Sequence, residues 1–468
     1  MRMENFNFWD SEVWGFILLF AVLLASLLAG NILKKSIPFL QKSLIPTSVV
    51  GGAILLVVSW IYKAITGVVM FDTAAFGGNG TANLEIITYH TLALGFIASA
   101  FKSGNGKMTK KRTGEIFNTG VTTVATYLLQ ASVGLVITII GALVIDGFFS
   151  GSGILLAFGF GQGTGQALNY GGIYEADYGF IGGRSFGLTV AAIGFLVASV
   201  GGVIHLNVQK RRGKLVLSKR TDGSATEKVE TIGEIPMQES VDKLTVQIAL
   251  IVVAYAAAYL LMYGLGKLLP GMRAVVYGFN FLLGVLTATV IKTVMNFLRS
   301  KHLIRKKYVN NFLMTRTSNF FFDLMIVAGV AAIRLDSLQN YWGILIILCV
   351  AGTIVTYIYN RIVAKVLFPE YVEEQFMAMY GMLTGTASTG IILLREIDKN
   401  FKTPVADNLV YQNFPAIVFG LPLMFLAVLA ATESLLTLGI LVAFFVVLNI
   451  ILFRSKIFKK SSRKKDGE

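Results

Sequence analysis

Apolar runs close to 20 residues long follow one another from Val13 to Phe453, separated by short polar and basic stretches. A run of that length spans a bilayer as an α-helix. In lipid a lone apolar segment has no other way to satisfy its backbone amides, so the chain is expected to be an all-α membrane protein. Composition points the same way, with 55% hydrophobic and only 14% charged residues. The net charge of +15 could suggest a nucleic-acid partner, but the 41 Lys and Arg cluster between apolar runs, as cytoplasmic loops do. The single cysteine, Cys349, lies inside an apolar run, which excludes a disulfide framework and a thiol metal site. The first twelve residues carry Arg2 against Glu4, Asp10 and Glu12, the wrong charge for a cleaved signal peptide, so Val13 to Leu33 reads as the first span.

Apolar windows place spans near 14–33, 47–66, 86–101, 115–145 and 181–207, with a Gly-rich segment at 153–170 just before the last of them. The second half repeats that order at 244–266, 273–296, 318–335, 341–366 and 405–430, with a Gly/Thr-rich segment at 373–394 in the matching place. A further span at 434–453 closes the chain. Alternating the loops puts Lys34, Lys35 and Lys42, then 102–112, 210–220, 299–316, 395–402 and the 454–465 tail on one side. Asp72, Asp146, Glu175, Asp177, Asp336 and Glu433 fall on the other. That asymmetry sets the N-terminus outside and the C-terminus in the cytoplasm of a multi-pass protein of the cell (inner) membrane. It holds only if both Gly-rich segments enter and leave the membrane on the same side. The expected organisation is therefore two inverted-topology repeats of five transmembrane helices, each with a re-entrant hairpin, plus one extra C-terminal helix. Residues 1–207 form the first repeat, 208–243 a polar cytoplasmic linker, 244–432 the second repeat, and 433–468 the extra helix with its basic tail.

Irregular backbone survives at membrane depth only inside protein or around a polar cavity, and interrupted segments in matching places of two halves are the best pointer to a transporter's substrate site. At the first tip Gln162, Gly163, Thr164 and Gly165, followed by Gln166, combine tight-turning glycines with neutral donors and acceptors. At the second, Thr384, Gly385, Thr386, Ser388 and Thr389 do the same. A helix that starts at such a turn aims its N–H groups at an anion, while carbonyls and hydroxyls there can take Na+. Small residues at these places also permit close helix packing.

These residues carry a family resemblance. Ile45-Pro-Thr-Ser-Val-Val-Gly-Gly52, Gly161-Gln-Gly-Thr-Gly-Gln-Ala167, Tyr178-Gly-Phe180 and the helix from Gly194 to Gly202 resemble, in order, the first half of the bacterial glutamate:sodium symporter family. Members typically have Gly-Gly-His-Gly-Thr at the first tip and Gly-Phe-Gly-Leu-Gly-Ala-Thr-Pro at the second. Here Gln162 stands at the histidine position, and Leu383-Thr-Gly-Thr-Ala-Ser-Thr389 replaces the second pattern. The resemblance implies a Na+-driven carrier of an amino-acid anion, glutamate first, with two inverted repeats and a cytoplasmic central loop.

A carboxylate in a span costs about 2.5–3.5 kcal/mol on insertion scales, so Asp323 should have a partner or a task. Asn319 is four residues earlier, hence on the same helical face, and the two are the candidate cation ligands. Arg184, Arg334 and Arg395 are candidates for a substrate carboxylate, although snorkelling to the interface also explains them. His90 sits early in its span as the candidate proton carrier, whereas His205 and His302, beside basic loops, read as interfacial. No spacing of these groups makes a metal cage or an Asp/His/Ser set, and no Walker motif is present, so neither an enzyme nor an ATP-driven pump is expected. The leading function is Na+-coupled symport by alternating access, with no cofactor besides Na+ as coupling ion. The alternatives are a carrier of another organic anion or amino acid, proton coupling through Asp323 or His90, and an ion channel. The expected partners are the anionic solute, Na+ and the bilayer; a homodimer is compatible with this reading, and nucleic acid is not.

Overall fold

The computed structural model describes residues 7–102, 109–213, 241–270, 273–304, 306–398 and 402–465. Most of the linker expected at 208–243 lies outside the described residues, as do the side chains of Ser388 and of 455–465. All the regular elements among the described residues are helical. In the first half they are α1 (Ser11–Ser36), α2 (Pro38–Ser43), α3 (Thr47–Thr66), α4 (Gly80–Phe101), α5 (Lys110–Val144), α6 (Leu155–Gln162), α7 (Thr164–Tyr178) and α8 (Gly183–Arg211). The second half supplies α9 (Lys243–Leu268), α10 (Arg273–Gly278), α11 (Asn280–Ser300), α12 (Asn311–Ala331) and α13 (Trp342–Leu367). It ends with α14 (Val372–Thr384), α15 (Ala387–Arg395), α16 (Val405–Tyr411), α17 (Asn413–Thr432) and α18 (Ser434–Lys465). Short 3-10 turns join several of them. Among the described residues ten helices are long and apolar enough to cross a membrane, which makes this an all-α, multi-pass membrane protein.

Four expected spans differ in detail. The one placed at 318–335 is α12, which begins at Asn311 and carries Arg316 and Asp323; it is not among those ten. The span at 273–296 divides at Phe279 into α10 and α11. The last span of the second half divides at Gln412, between α16 and α17, because Pro415 follows in the first turn of α17. There its missing N–H costs nothing, whereas a continuous helix would drive its ring into the carbonyl of Tyr411. Helix α4 starts earlier than its apolar stretch, where the backbone N–H of Thr81 donates to Asp72 Oδ1 at 2.9 Å.

The chain divides into two compact units, each drawing on both halves of the sequence. One comprises Met1–Leu27, Gly52–Gly106 and Lys219–Ala332. Within it α4 lies along α12: a Cβ on Gly95 would come within 2.7 Å of the Phe322 ring, and the hydroxyls of Ser99 and Ser318 are 2.8 Å apart. Its core joins Ile97, Ala98 and Phe101 of α4 to Ile251 and Ala254 of α9, Ala288 of α11 and Met314 of α12.

The other comprises Leu28–Gly51, Lys107–Ser218 and Ile333–Glu468. Its axis is the 35-residue α5, whose buried face reads Thr119, Thr122, Thr123, Thr126 and Gln130 among apolar residues. Spacings of three and four put these on one stripe. The α16–α17 break and α13 meet that stripe through Gln412, which accepts from Thr123 Oγ1 at 2.8 Å, and through Thr356, which accepts from Gln130 Nε2 at 2.9 Å. Both Gly-rich segments belong to this unit.

Candidate functional site: two broken helices

Helices α6 and α7, of 8 and 15 residues, are about 12 and 22 Å long at 1.5 Å per residue, so neither alone crosses a 30 Å core. The break between them is Gly163, at φ 80° and ψ −170°, which residues with a Cβ rarely adopt. The chain then folds back. Phe158 and Tyr170 stack with centroids 4.2 Å apart and planes within 12°, pinning the two helices side by side across the turn. The Tyr170 hydroxyl donates to Met424 O at 3.1 Å and that of Tyr174 to Ala427 O, which anchors α7 to α17.

The second segment is built alike with different parts. Helix α14 ends at Thr384, the chain turns at Gly385, and α15 begins at Ala387. A Cβ on Gly390 would lie 2.4 Å from Ala378 O, and one on Gly381 would lie 2.8 Å from the Cα of Gly390. Only hydrogen at both positions allows this approach. Thr386 caps α15, its Oγ1 accepting from Thr389 N at 3.3 Å.

The two turns come together around α5 and α8. Gln130 Nε2 donates to Leu383 O at 2.8 Å, and the Tyr127 hydroxyl one turn away donates to Gly161 O at 3.0 Å. A Cβ on Gly161 would sit 3.3 Å from Gln130 Oε1. From the other side, a Cβ on Gly194 of α8 would meet both Thr384 O, at 2.5 Å, and the Phe160 ring, at 3.0 Å. Residues from both turns therefore flank the same glutamine and the same glycine. The carbonyl ends of α6 and α14 and the N-termini of α7 and α15 all lie at these turns, and Gly163 offers no side-chain cap to α7. Helix ends carry partial charges, negative at the carbonyl end and positive at the N–H end, so the turns supply fields of both signs.

Gly163, Thr164, Gly165, Thr384, Gly385 and Thr389 are buried, while Gln162 and Thr386 are half-buried. The Thr384 hydroxyl is spent on its own helix, donating to Tyr380 O at 2.7 Å, so its carbonyl rather than its hydroxyl is the group to consider. Several buried polar atoms have no hydrogen-bond partner among the described residues: Gln162 Nε2, both amide atoms of Gln166, Gln130 Oε1 and Thr189 Oγ1. Each such group costs about 1–3 kcal/mol when left unsatisfied, so a polar partner here would be stabilising.

The expected cation ligands are on α12. Asn319 and Asp323 lie one turn apart on α12, both exposed, in the unit that does not contain the turns. The arginines are peripheral to the turns. Arg184 pairs with Glu175 at 3.2 Å, Arg334 is exposed beyond α12, and Arg395 is exposed in the last turn of α15, about 12 Å along the helix from its start. His90 is exposed on α4, with Nδ1 2.7 Å from the Tyr255 hydroxyl. His205, read as interfacial, is 3% exposed, with Nδ1 2.8 Å from the Tyr357 hydroxyl and Nε2 3.0 Å from Glu373. A local reading of the basic loop could not see Glu373, which arrives from α14. No family model matches the chain, and no curated protein matches it.

Gln130, Tyr127, Thr356 and Asn360 were not singled out by sequence reasoning, and Gly194 only as the start of a helix in the family resemblance. A signal for the first existed: Thr119, Thr122, Thr123, Thr126 and Gln130 make a polar stripe at helical spacing inside a 35-residue apolar helix. Such a stripe cannot face lipid without cost and must meet other polar groups.

Proposed function

We propose that this protein is a secondary active transporter that carries an amino-acid anion, glutamate first, together with Na+, by alternating access. The observation that carries this reading is the meeting of two broken helices within one compact unit, on either side of Gln130 and Gly194. Opposed helix ends at mid-span, with N–H groups for a carboxylate and carbonyls for a cation, are the arrangement that discontinuous helices give to secondary transporters. The motifs at 45–52, 161–167 and 178–180 support kinship with bacterial glutamate:sodium symporters. On this reading α6–α7 and α14–α15 are re-entrant hairpins in two inverted five-helix repeats at 1–207 and 244–432. The N-terminus is then outside and the C-terminus, after the extra helix, in the cytoplasm of the cell membrane. The hairpin-bearing unit carries the site as a body between its two exposures. Each inward Na+ contributes about 2.3 kcal/mol per 100 mV of membrane potential, enough for more than one to concentrate an anion strongly.

Uptake of labelled glutamate into proteoliposomes, with external Na+ exchanged for choline, tests the coupling. Concentrative uptake that collapses in choline is expected, and uptake indifferent to Na+ would sink the symport. Proton coupling is the second reading, favoured by the buried His205 bonded to Glu373 at the base of α14. It predicts instead uptake driven by an imposed pH gradient in the absence of Na+.

A further inference from the structure

Three side-chain amides on the seam between α5, α13 and α14 share one arrangement: the NH2 group is used and the oxygen has no donor among the described residues. Gln130 Nε2 donates to Leu383 O and to Thr356 Oγ1, and Gln130 Oε1 has no partner. Asn360 Nδ2 donates to Thr356 O at 2.9 Å and to Thr126 Oγ1 at 3.4 Å, and Asn360 Oδ1 has no partner. Gln375 Nε2 donates to Thr119 Oγ1 at 3.3 Å, and Gln375 Oε1 has no partner. The orientations follow from chemistry. A backbone carbonyl only accepts, so the groups facing Leu383 O and Thr356 O must be NH2. The protons of Thr126 and Thr119 are already committed to Thr122 O and Glu115 O, so those hydroxyls accept too. Gln130, Asn360, Thr126 and Thr356 are all at most 2% exposed.

Unpartnered amide oxygens in a row on a buried seam suit a cation and not an anion, because an amide oxygen only accepts. The nearby helix ends have the same sign. Gly161 is in the last turn of α6 and Leu383 in the last turn of α14, so Gln130 lies between two carbonyl-terminal, partially negative ends. All four side chains are neutral. A divalent ion, whose desolvation cost rises with the square of its charge, would want carboxylates, whereas a monovalent ion is served by neutral oxygens.

We propose that Gln130 and Asn360, with Thr126 and Thr356 beside them, form the seat of a dehydrated monovalent cation, Na+ first, adjoining the turns in the unit that does not include Asp323. This deepens the transporter reading, on which it rests, by locating the coupling ion in the unit that holds both hairpins.

The test is thermal unfolding of the purified full chain in detergent as choline chloride is replaced by NaCl at constant ionic strength, with no organic anion present. A saturable rise in the unfolding temperature is expected, because a ligand that binds only the folded state stabilises it by mass action. Asn360→Leu, which keeps volume and loses the oxygen, should raise the half-saturating Na+ concentration by about tenfold or more, as loss of a contact to a charged group does. Should that variant fold poorly, Asn360→Asp keeps an oxygen in place, adds a charge, and should lower the half-saturating concentration. Asp323→Asn should leave it unchanged. A native chain that does not distinguish Na+ from choline, as when water alone fills the seat, overturns the proposal. So does an Asn360→Leu response equal to the native one, or an Asp323→Asn variant that loses it. Absence of amino-acid uptake would instead defeat the transport reading and leave this Na+ titration standing on its own.

Discussion

Gln130, midway along α5, donates a 2.8 Å hydrogen bond to the carbonyl of Leu383, 253 residues away in the last turn of α14. The last carbonyls of a helix have no partner within it, so this side chain supplies what the helix cannot. Gln130→Leu should leave that carbonyl without its donor and cost about 1–3 kcal/mol of stability. Gln130→Glu, equal in size but lacking the NH2, should be at least as harmful. Thermal unfolding of both variants checks this, and an unchanged unfolding temperature would show that the second turn is held by something else.

The α14–α15 hairpin depends on hydrogen at position 390, where a Cβ would lie 2.4 Å from Ala378 O. Gly390→Ala is expected to force the two helices apart, at a cost of about 1–3 kcal/mol, and to lower uptake with it. Gly439 on α18 provides the control, since nothing lies within 4 Å of its added Cβ. There the same change should stabilise the helix by about 0.5–1 kcal/mol and leave uptake alone. Equal effects at the two sites would contradict the close approach.

At the base of α14, Glu373 binds the Arg361 guanidinium through both carboxylate oxygens, one contact at 2.8 Å, and meets His205 Nε2 at 3.0 Å. Both charged side chains are only 15% exposed. Glu373→Gln should be strongly destabilising, by about 3–5 kcal/mol, because it strands a largely buried guanidinium. Arg361 also lies over the Phe376 ring at 5.3 Å, which the variant keeps. Adding Arg361→Gln should recover much of the loss. A double-mutant cycle on unfolding free energies is the measurement, and strict additivity would argue against the pair.

Outside the spans, Asp398 closes the loop after α15. Burial by itself would raise its carboxyl, but hydrogen bonds from Thr403 Oγ1 at 2.6 Å and from the N–H groups of Thr403 and Lys402, both at 2.8 Å, with the Lys402 charge, hold it below the ordinary range. A carboxyl depressed in the folded state contributes stability that is fully present above its unfolded value, about 3.9, and is lost as pH falls through the folded value. Stability measured from pH 7 down to pH 3 should therefore show an acid-side loss that Asp398→Asn removes. The variant should cost about 1 kcal/mol at pH 7, where the native loop keeps its bonds. Identical acid limbs for the two proteins would exclude Asp398 as the titrating group.

Much of the helical framework was legible because each apolar run answers to lipid on its own. The two broken segments were legible as well, through Gly163 and Gly385, because glycine clusters in an apolar chain mark where regular helix stops. Two other breaks were not. Phe279 and Gln412 interrupt stretches that look continuous by hydropathy, and Glu373, which fixes His205, is remote in sequence from the histidine it meets. Asn319 and Asp323 were read as neighbours on one helix, as α12 has them, but which unit α12 joins is not written in its local pattern.

Sequence alone determined that this protein is a bundle of membrane-length helices with two glycine-rich interruptions, since the absence of water in lipid forces every apolar run to pair its own amides. Tertiary structure decided that Gly161 and Leu383 share the neighbourhood of Gln130 and that Asn360 and Thr356 stand beside them. The reason is range. Helix formation is settled within a few residues by hydrogen bonds to the next turn, whereas the company of a buried glutamine is settled by how helices from distant parts of the chain pack, and no local pattern records it.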